Sequence, residues 1–446
     1  MQLKKILPFL LLLPLLAISA EPRDNSETTR SPNVVLIVAD CIGYGDIGPH
    51  GVPDIRTPGI DRLAREGIRL TDAYSAAPIC SPSRSSLLTG RYSQRFGVEL
   101  NIQNTRESVG IPSTETTLGR RLKDAGYATA VFGKWHLGYD PASRPNAHGF
   151  DEFLGILDWT VDNYTHKTFF GEPGLYENSS PVARQGYLPE MIADRAVQFI
   201  DQHKNQPFFV YLSYHTALPP YQRPGHPEDV RTQETWRRGT RQDYAAMVEC
   251  VDQGVVRTLE ALDRNSLADN TLVIYTHDHG GEALSRGEPF FHGFATLWEG
   301  GLRVPCLLRW PGRLPAGRVS SQVAIGMDVA RTILAATGQS PSADKSLDGI
   351  DLLPILAGKS PVVERSLFWR INFPRRPQKA VRSGKWKYLF DVHAHMLFDL
   401  ENDPGERHNL AYQQPEVMAR LRALLAEWEA QLPPPPKINP PAPASR

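Results

Sequence analysis

Three short runs, Asn33–Ala39 (NVVLIVA), Pro207–Ser213 (PFFVYLS) and Thr271–Thr276 (TLVIYT), are apolar at nearly every position and rich in β-branched or aromatic residues. A strand covered on one face alternates apolar and polar residues, so an unbroken apolar run reads as a strand buried on both faces. Strands of that kind belong to a parallel sheet with helices on either side. The stretches Thr57–Gly67, Thr116–Ala125, Arg241–Leu262 and about Met327–Ala336 have helical spacing or helix end signals and supply such helices. Further strands are predicted at Ala128–Phe132 and Cys306–Arg309. The alternation runs to about residue 355 and predicts one large α/β domain, residues 33–358, with a mainly parallel sheet.

From Glu364 the texture changes. Ser366–Ile371, Lys379–Arg382, Trp386–Phe390 and Met396–Asp399 are short strand-like pieces, followed by a helix over Pro415–Gln431. They predict a small antiparallel sheet with a packed helix, residues 359–432. Residues 433–446 form a proline-rich tail, and residues 21–32 a polar, flexible start. Before them, Met1–Ala20 carries Lys4 and Lys5, an apolar run from Ile6 to Leu16, and Ala17-Ile18-Ser19-Ala20. This pattern reads as a secretory signal peptide cut after Ala20, with an apolar run too short to span a bilayer. The expectation is an exported protein (periplasmic, secreted or in a lysosome-like lumen, depending on source) with no membrane anchor after cleavage. The 49 basic and 49 acidic residues cancel, which argues against a globally basic nucleic-acid binder. Four cysteines, Cys41, Cys80, Cys250 and Cys306, are too few for a disulfide framework and leave room for one bridge at most if Cys80 is modified.

Polar residues collect where the predicted strands end. Asp40 follows the first strand, ahead of Gly43-Tyr44-Gly45-Asp46, and His277-Asp278-His279 follows Thr271–Thr276. Open α/β sheets place their sites at these carboxyl ends. Oxygen ligands from separate strand ends suit a divalent cation. Lys134 and His136 lie two apart beyond Ala128–Phe132, a spacing that turns both the same way in an extended segment. Cys80-Ser81-Pro82-Ser83-Arg84 reads as a loop entering a helix, with Ser81 as N-cap, Pro82 at the first helical position and Arg84 able to share the face of Cys80.

Cys80-x-Pro82-x-Arg84, followed by Ser85-Ser86-Leu87-Leu88-Thr89-Gly90-Arg91, resembles the signature of the type I sulfatases, members of the alkaline phosphatase superfamily. Gly133-Lys134-Trp135-His136, His148-Gly149-Phe150-Asp151, Asp278-His279-Gly280, Glu299-Gly300-Gly301, Trp310-Pro311-Gly312 and the segment from Ala380 to Lys387 fit the same pattern in order. The resemblance implies that the cysteine is oxidised to formylglycine by a formylglycine-generating enzyme. It also implies that Asp40, modified Cys80, Asp278 and His279 bind a divalent metal, usually calcium. Asparagine is commoner at the His279 position, with histidine in a recognised subset. Arg84, Lys134 and His136 would hold and activate the nucleophile, and the substrate would be a sulfate ester of an aromatic or carbohydrate alcohol.

Three positions depart from the pattern. Cys41 stands where a second metal-binding aspartate is usual, which weakens calcium binding and leaves a softer metal open. Leu218 falls where a histidine usually serves the leaving group, with His215 three residues earlier. Phe294 falls where a sulfate-binding lysine is usual, with Arg286 and His292 as nearby substitutes. Two alternatives therefore stand beside sulfate ester hydrolysis: an impaired sulfatase-like protein that binds a sulfated ligand, and a formylglycine-dependent phosphodiester or phosphonate monoester hydrolase. Asn163-Tyr164-Thr165 and Asn178-Ser179-Ser180 are glycosylation sequons, relevant in a eukaryotic source.

Overall fold

The computed structural model describes residues 30–103, 110–339 and 346–435. The leader expected at residues 1–20, residues 21–29 and the tail from residue 436 lie outside the described residues. In chain order the first twelve strands are β1 (Asn33–Ala39), β2 (Ile68–Leu70), β3 (Ala73–Tyr74), β4 (Ala128–Lys134), β5 (Glu152–Ile156), β6 (Leu175–Glu177), β7 (Ser180–Pro181), β8 (Phe208–Ser213), β9 (Thr271–His277), β10 (Cys306–Arg309), β11 (Arg318–Ser320) and β12 (Ala324–Ile325). All but β3 and β12 form one sheet in the order β11-β2-β10-β9-β1-β8-β4-β5-β6-β7. Its centre, β9-β1-β8-β4-β5, is parallel. Antiparallel pairs flank it on both sides.

The unbroken apolar run of β1 is explained by its two covered faces. Val35, Ile37 and Ala39 pack beneath α1 (Pro58–Glu66), α4 (Leu188–His203) and α5 (Arg241–Arg264). Val34, Leu36 and Val38 pack on the opposite face beneath α2 (Cys80–Thr89), α3 (Leu118–Asp124), α7 (Gly326–Ala336) and α8 (Leu353–Leu356). Each fully buried side chain of this kind contributes about 1.5–3 kcal/mol, so polar substitution anywhere along β1 is costly. The helix α4 is not among the predicted ones. Its buried face mixes alanines (Ala193, Ala196) with Ile192, Phe199 and Ile200, and no side chain caps its start. By contrast α5 starts at a capping box between Thr240 and Asp243, a signal visible in sequence.

The second sheet is an antiparallel meander of β13 (Ser366–Phe373), β14 (Arg376–Ser383), β15 (Trp386–Asp391) and β16 (Ala394–Asp399). Helix α9 (Pro415–Glu429) packs Leu421, Leu425 and Trp428 into the same core. That core also takes Tyr74, Ile79, Leu297 and Trp298 from the larger part of the chain. A buried ionic junction strengthens the contact. Lys387 Nζ lies 2.9 Å from Glu299 Oε1 and 2.9 Å from Glu406 Oε1. Glu299 opens the short helix α6 (Glu299–Leu302) and accepts from Tyr74 Oη (2.7 Å) and Arg303 Nε (2.9 Å). The Glu299-Gly300-Gly301 motif is thus placed at the joint between the two sheets. Both glycines are needed there, since a Cβ on Gly300 would stand 2.2 Å from the His292 carbonyl oxygen and one on Gly301 2.1 Å from that of Thr296.

Candidate active site

Four strand ends converge on one helix start. β1 and β9 pair Ala39 with His277, so Asp40 and Asp278 leave the sheet side by side. β4 ends at Lys134 and β8 at Ser213, the next two strands along. Cys80 begins α2 and lies inside its first turn rather than before it. Ser81 is not the cap expected from sequence: Ile79 takes that position without a side-chain bond, and Ser81 Oγ instead donates to the His136 carbonyl at 2.7 Å. Asn101 Oδ1 accepts from the Ser81 amide at 3.0 Å and supplies the missing acceptor from a distant loop.

The side chains that meet here are almost wholly shielded. Arg84 donates from Nη2 to Asp40 Oδ2 and from Nε to Asp278 Oδ2, each at 2.9 Å. Lys134 Nζ reaches the same Asp40 oxygen at 2.6 Å. His279 Nε2 lies 3.2 Å from Cys80 Sγ and 3.5 Å from both Asp40 Oδ1 and Asp278 Oδ1. The backbone of Asp278 is pinned as well, its carbonyl accepting from Ser75 Oγ and Ser83 Oγ at 2.5 Å each. Ser213, which carries no motif of its own, accepts from Arg84 Nη1 and donates to the Lys134 carbonyl, both at 2.5 Å. Its position as the last residue of a buried strand was the one sequence signal available.

Electrostatics divides the cluster. Burial alone would raise the Asp40 carboxyl, but Lys134, Arg84 and His279 together hold it well below the usual range. Burial raises Asp278, and the neighbouring Asp40 charge adds to this. Burial opposes a charge on His279, yet Asp278, Cys80 and Asp40 push its imidazole up to about 10. The cluster therefore attracts positive charge at His279 Nε2. One ligand atom each from Asp40, Cys80, Asp278 and His279 lies within 4.8 Å of the others. Asp278 Oδ1 is buried without a hydrogen bond. An unsatisfied buried carboxylate oxygen facing three further donors fits a bound cation.

His136 is differently placed from the extended pairing expected with Lys134. The backbone turns to φ +54° at His136, so the alternation that relates i and i+2 ends at the strand. Its Nε2 lies 3.1 Å from the Ile102 carbonyl, an acceptor only, so that nitrogen carries the proton. Nδ1 is left with a lone pair, buried and unpartnered. Burial, with Lys134 and Arg84 beside it, depresses the imidazole well below its ordinary value and keeps it neutral.

Comparison with known proteins decides the family. The sulfatase family model matches residues 32–339, and the model for the C-terminal part of N-sulphoglucosamine sulphohydrolase matches 287–431. The chain belongs to the sulfatase family. It is a sulfuric ester hydrolase by that membership. It is 31% identical to human N-acetylgalactosamine-6-sulfatase, over 93% of this chain and 89% of the relative, and 33% identical to human arylsulfatase A, over 89% and 87%. Among solved structures, that of Ps i-CgsB superposes with a TM-score of 0.84 at 31% identity, covering 91% of this chain and 94% of the other. The same protein has been solved in complex with k-i-k-neocarrahexaose. Phosphonate monoester hydrolase of Agrobacterium radiobacter, 21% identical over 90% of this chain and 96% of the other with a TM-score of 0.66, shares the fold.

Two of the three departures from the sulfatase pattern, Cys41 and Phe294, lie against His279. Cys41 Sγ stands 3.9 Å from His279 Nδ1, the ring nitrogen facing away from Cys80, and burial pushes its thiol well above the ordinary value. The Phe294 ring packs on the His279 ring at 4.8 Å between centroids. Leu218 is buried and brings no proton donor. Neither nearby substitute replaces the lysine: Arg286 Nη2 points to Asp54 at 3.6 Å, and His292 packs on Phe291 and Trp298. His215 is held by Asn163, whose Oδ1 lies 2.8 Å from its Nε2. Asn163 is also fully buried, so the first sequon is not a glycan acceptor in the folded chain. All four cysteines are free and buried.

Proposed function

We propose that the protein is an exported hydrolase of aryl or carbohydrate sulfate esters, using Cys80 after its conversion to formylglycine by a maturation enzyme. The observation that carries the proposal is the meeting of Cys80 with two carboxylates, His279 and Arg84 in one buried cluster at the sheet's carboxyl end. Asp40, Asp278, His279 and the modified residue 80 would hold a divalent cation, with calcium first and a softer ion second because His279 replaces an oxygen donor. A bound cation there supplies charge stabilisation and lowers the proton affinity of an oxygen ligand. The hydrated aldehyde supplies an oxygen nucleophile for sulfur and a second hydroxyl through which sulfate is later released.

The chain's own groups do the rest. Arg84, tied to both aspartates, fixes their orientation and places positive charge beside residue 80. Lys134 adds a second cation on the Asp40 side, where charge on sulfate oxygens would be stabilised. His136 offers a neutral Nδ1 lone pair, the form required to accept a proton. Absence of a histidine at Leu218 takes a proton source from the leaving group, which favours esters of acidic alcohols, and absence of a lysine at Phe294 takes a cation from the sulfate side. The test is turnover of 4-nitrophenyl sulfate and of bis(4-nitrophenyl) phosphate by the calcium-loaded protein from its own host. Sulfate ester turnover in excess supports the proposal, whereas phosphate diester turnover in excess, or none of either with residue 80 converted, rejects it.

A further inference from the structure

Residues 98–103 form neither helix nor strand, yet they bridge the buried cluster and the second sheet. On the side of the site they close a ring of three hydrogen bonds. The His136 Nε2–H donates to the Ile102 carbonyl at 3.1 Å, the Ile102 amide donates to Ser81 Oγ at 3.0 Å, and Ser81 Oγ donates to the His136 carbonyl at 2.7 Å. Asn101 Oδ1 accepts from the Ser81 amide next to it. The ring ties the imidazole to the residue that follows Cys80. It also encloses the φ of +54° at His136, a backbone state that a residue other than glycine keeps only when its surroundings enforce it. Outside helices and sheets, buried backbone groups depend on turns and side chains for partners. What anchors residues 98–103 therefore decides where the Ile102 carbonyl stands.

The anchor comes from the C-terminal sheet. Glu99 is buried and accepts twice from Arg370 of β13, from Nη2 at 2.6 Å and from Nε at 3.1 Å. Asn372, two residues along the same strand and so on the same face, donates to Glu99 Oε2 at 3.4 Å. The Arg370 carbonyl accepts from Gln94 Nε2 at 3.0 Å, which secures the chain leading into this segment. Arg370 Nη1 also lies 3.5 Å from Glu429 of α9, and Glu429 pairs with Lys379 at 2.9 Å, so the guanidinium is held from behind. A two-pronged contact between arginine and carboxylate sets orientation as well as energy. Neither Glu99 nor Arg370 is among the groups that meet at Cys80, and neither lies in a motif that carries the family resemblance.

We infer that Glu99 and Arg370 are positioning residues for His136: they hold the Ile102 carbonyl that fixes its imidazole, so the second sheet takes part in the reaction without touching substrate. The inference rests on the sulfatase reading for the role of His136 as proton acceptor. Removing one partner of a buried pair strands the other. The test therefore sets Glu99→Ala beside the double variant Glu99→Leu with Arg370→Met, which leaves neither charge stranded. Each lowers kcat on 4-nitrophenyl sulfate about 10–10²-fold with KM changed less than about twofold, because the base is displaced and the sulfate contacts are not. In a His136→Asn background the same changes cost nothing further in kcat, since they act through that ring. A second readout needs no turnover. Nitrogen NMR of the full-length protein labelled with 15N-histidine, with His136 assigned by its loss in His136→Asn, shows the Nε2–H tautomer, and both pair variants shift it to a mixture of tautomers. Where the unmutated protein turns over, an unchanged kcat, or a further loss of the same size in the His136→Asn background, overturns the inference. A His136 signal untouched by both pair variants, or loss of the fold in both, overturns it as well. No sulfate ester turnover by the unmutated protein with residue 80 converted rejects the sulfatase reading alone, and the tautomer of His136 then decides the positioning role.

Discussion

His136 holds its protonation state through one backbone carbonyl. With Nε2–H committed to Ile102, Nδ1 can only accept, and replacing the ring removes that acceptor without touching the Arg84–carboxylate lattice. His136→Asn is expected to lower kcat by about 10²–10⁴, the usual range for a lost general base, with the melting temperature little changed. Single-turnover and steady-state rates on 4-nitrophenyl sulfate check this, and a kcat within error of the parent contradicts it. Leu218 sets a second expectation. Without a proton donor, kcat should fall steeply as the leaving alcohol becomes less acidic, so a series of substituted phenyl sulfates gives a steep dependence on leaving-group pKa. A flat series would mean that another group supplies the proton. Asp40, Asp278 and Lys134 were legible because each lies at or next to the end of an apolar run. Ser213 and the His215–Asn163 bond were not, because a polar side chain's partner fifty or more residues away leaves no local mark in sequence.

Among the elements, α1 shows how a helix start is completed from outside. Its Thr57 makes no cap bond, and Asp252 of α5 accepts instead from Gly59 N (3.0 Å) and Ile60 N (2.8 Å). Asp252→Ala leaves both amides unsatisfied and should cost about 1–3 kcal/mol, measured by urea denaturation. Burial raises the Asp252 carboxyl from 3.8 to about 6, against the pull of those amides. The folded state then binds this proton more tightly than the unfolded one. Its contribution to stability is full below about pH 4 and is lost as pH rises through 6. Asp252→Asn should flatten the stability profile over that window, and an unchanged profile would contradict the assignment. The boundaries of α1, α5 and β9 follow closely from sequence because proline, a capping box and apolar runs are local signals. The start of α2 does not, since its acceptor is Asn101 rather than Ser81.

For the whole molecule, the two sheets act as one body joined through Lys387. Lys387→Met leaves the buried Glu406 without its cation and Glu299 with Arg303 and Tyr74 alone, and should destabilise the fold by about 3–5 kcal/mol. Replacing all three by apolar residues of similar size should recover much of that loss, as thermal denaturation of the two variants will show. The division into a large parallel sheet and a small antiparallel one was readable from the change of texture near Glu364. Their junction was not, because Glu299, Lys387 and Glu406 come from three separate segments and only folding brings the charges together.

Everything proposed about catalysis turns on what residue 80 becomes. The direct test is the mass of the peptide containing Cys80, from protein made in its own host. The expected peptide carries the aldehyde form, reactive toward a hydrazide. A peptide carrying only the thiol, or Cys80 joined to Cys41 as a disulfide, would contradict it.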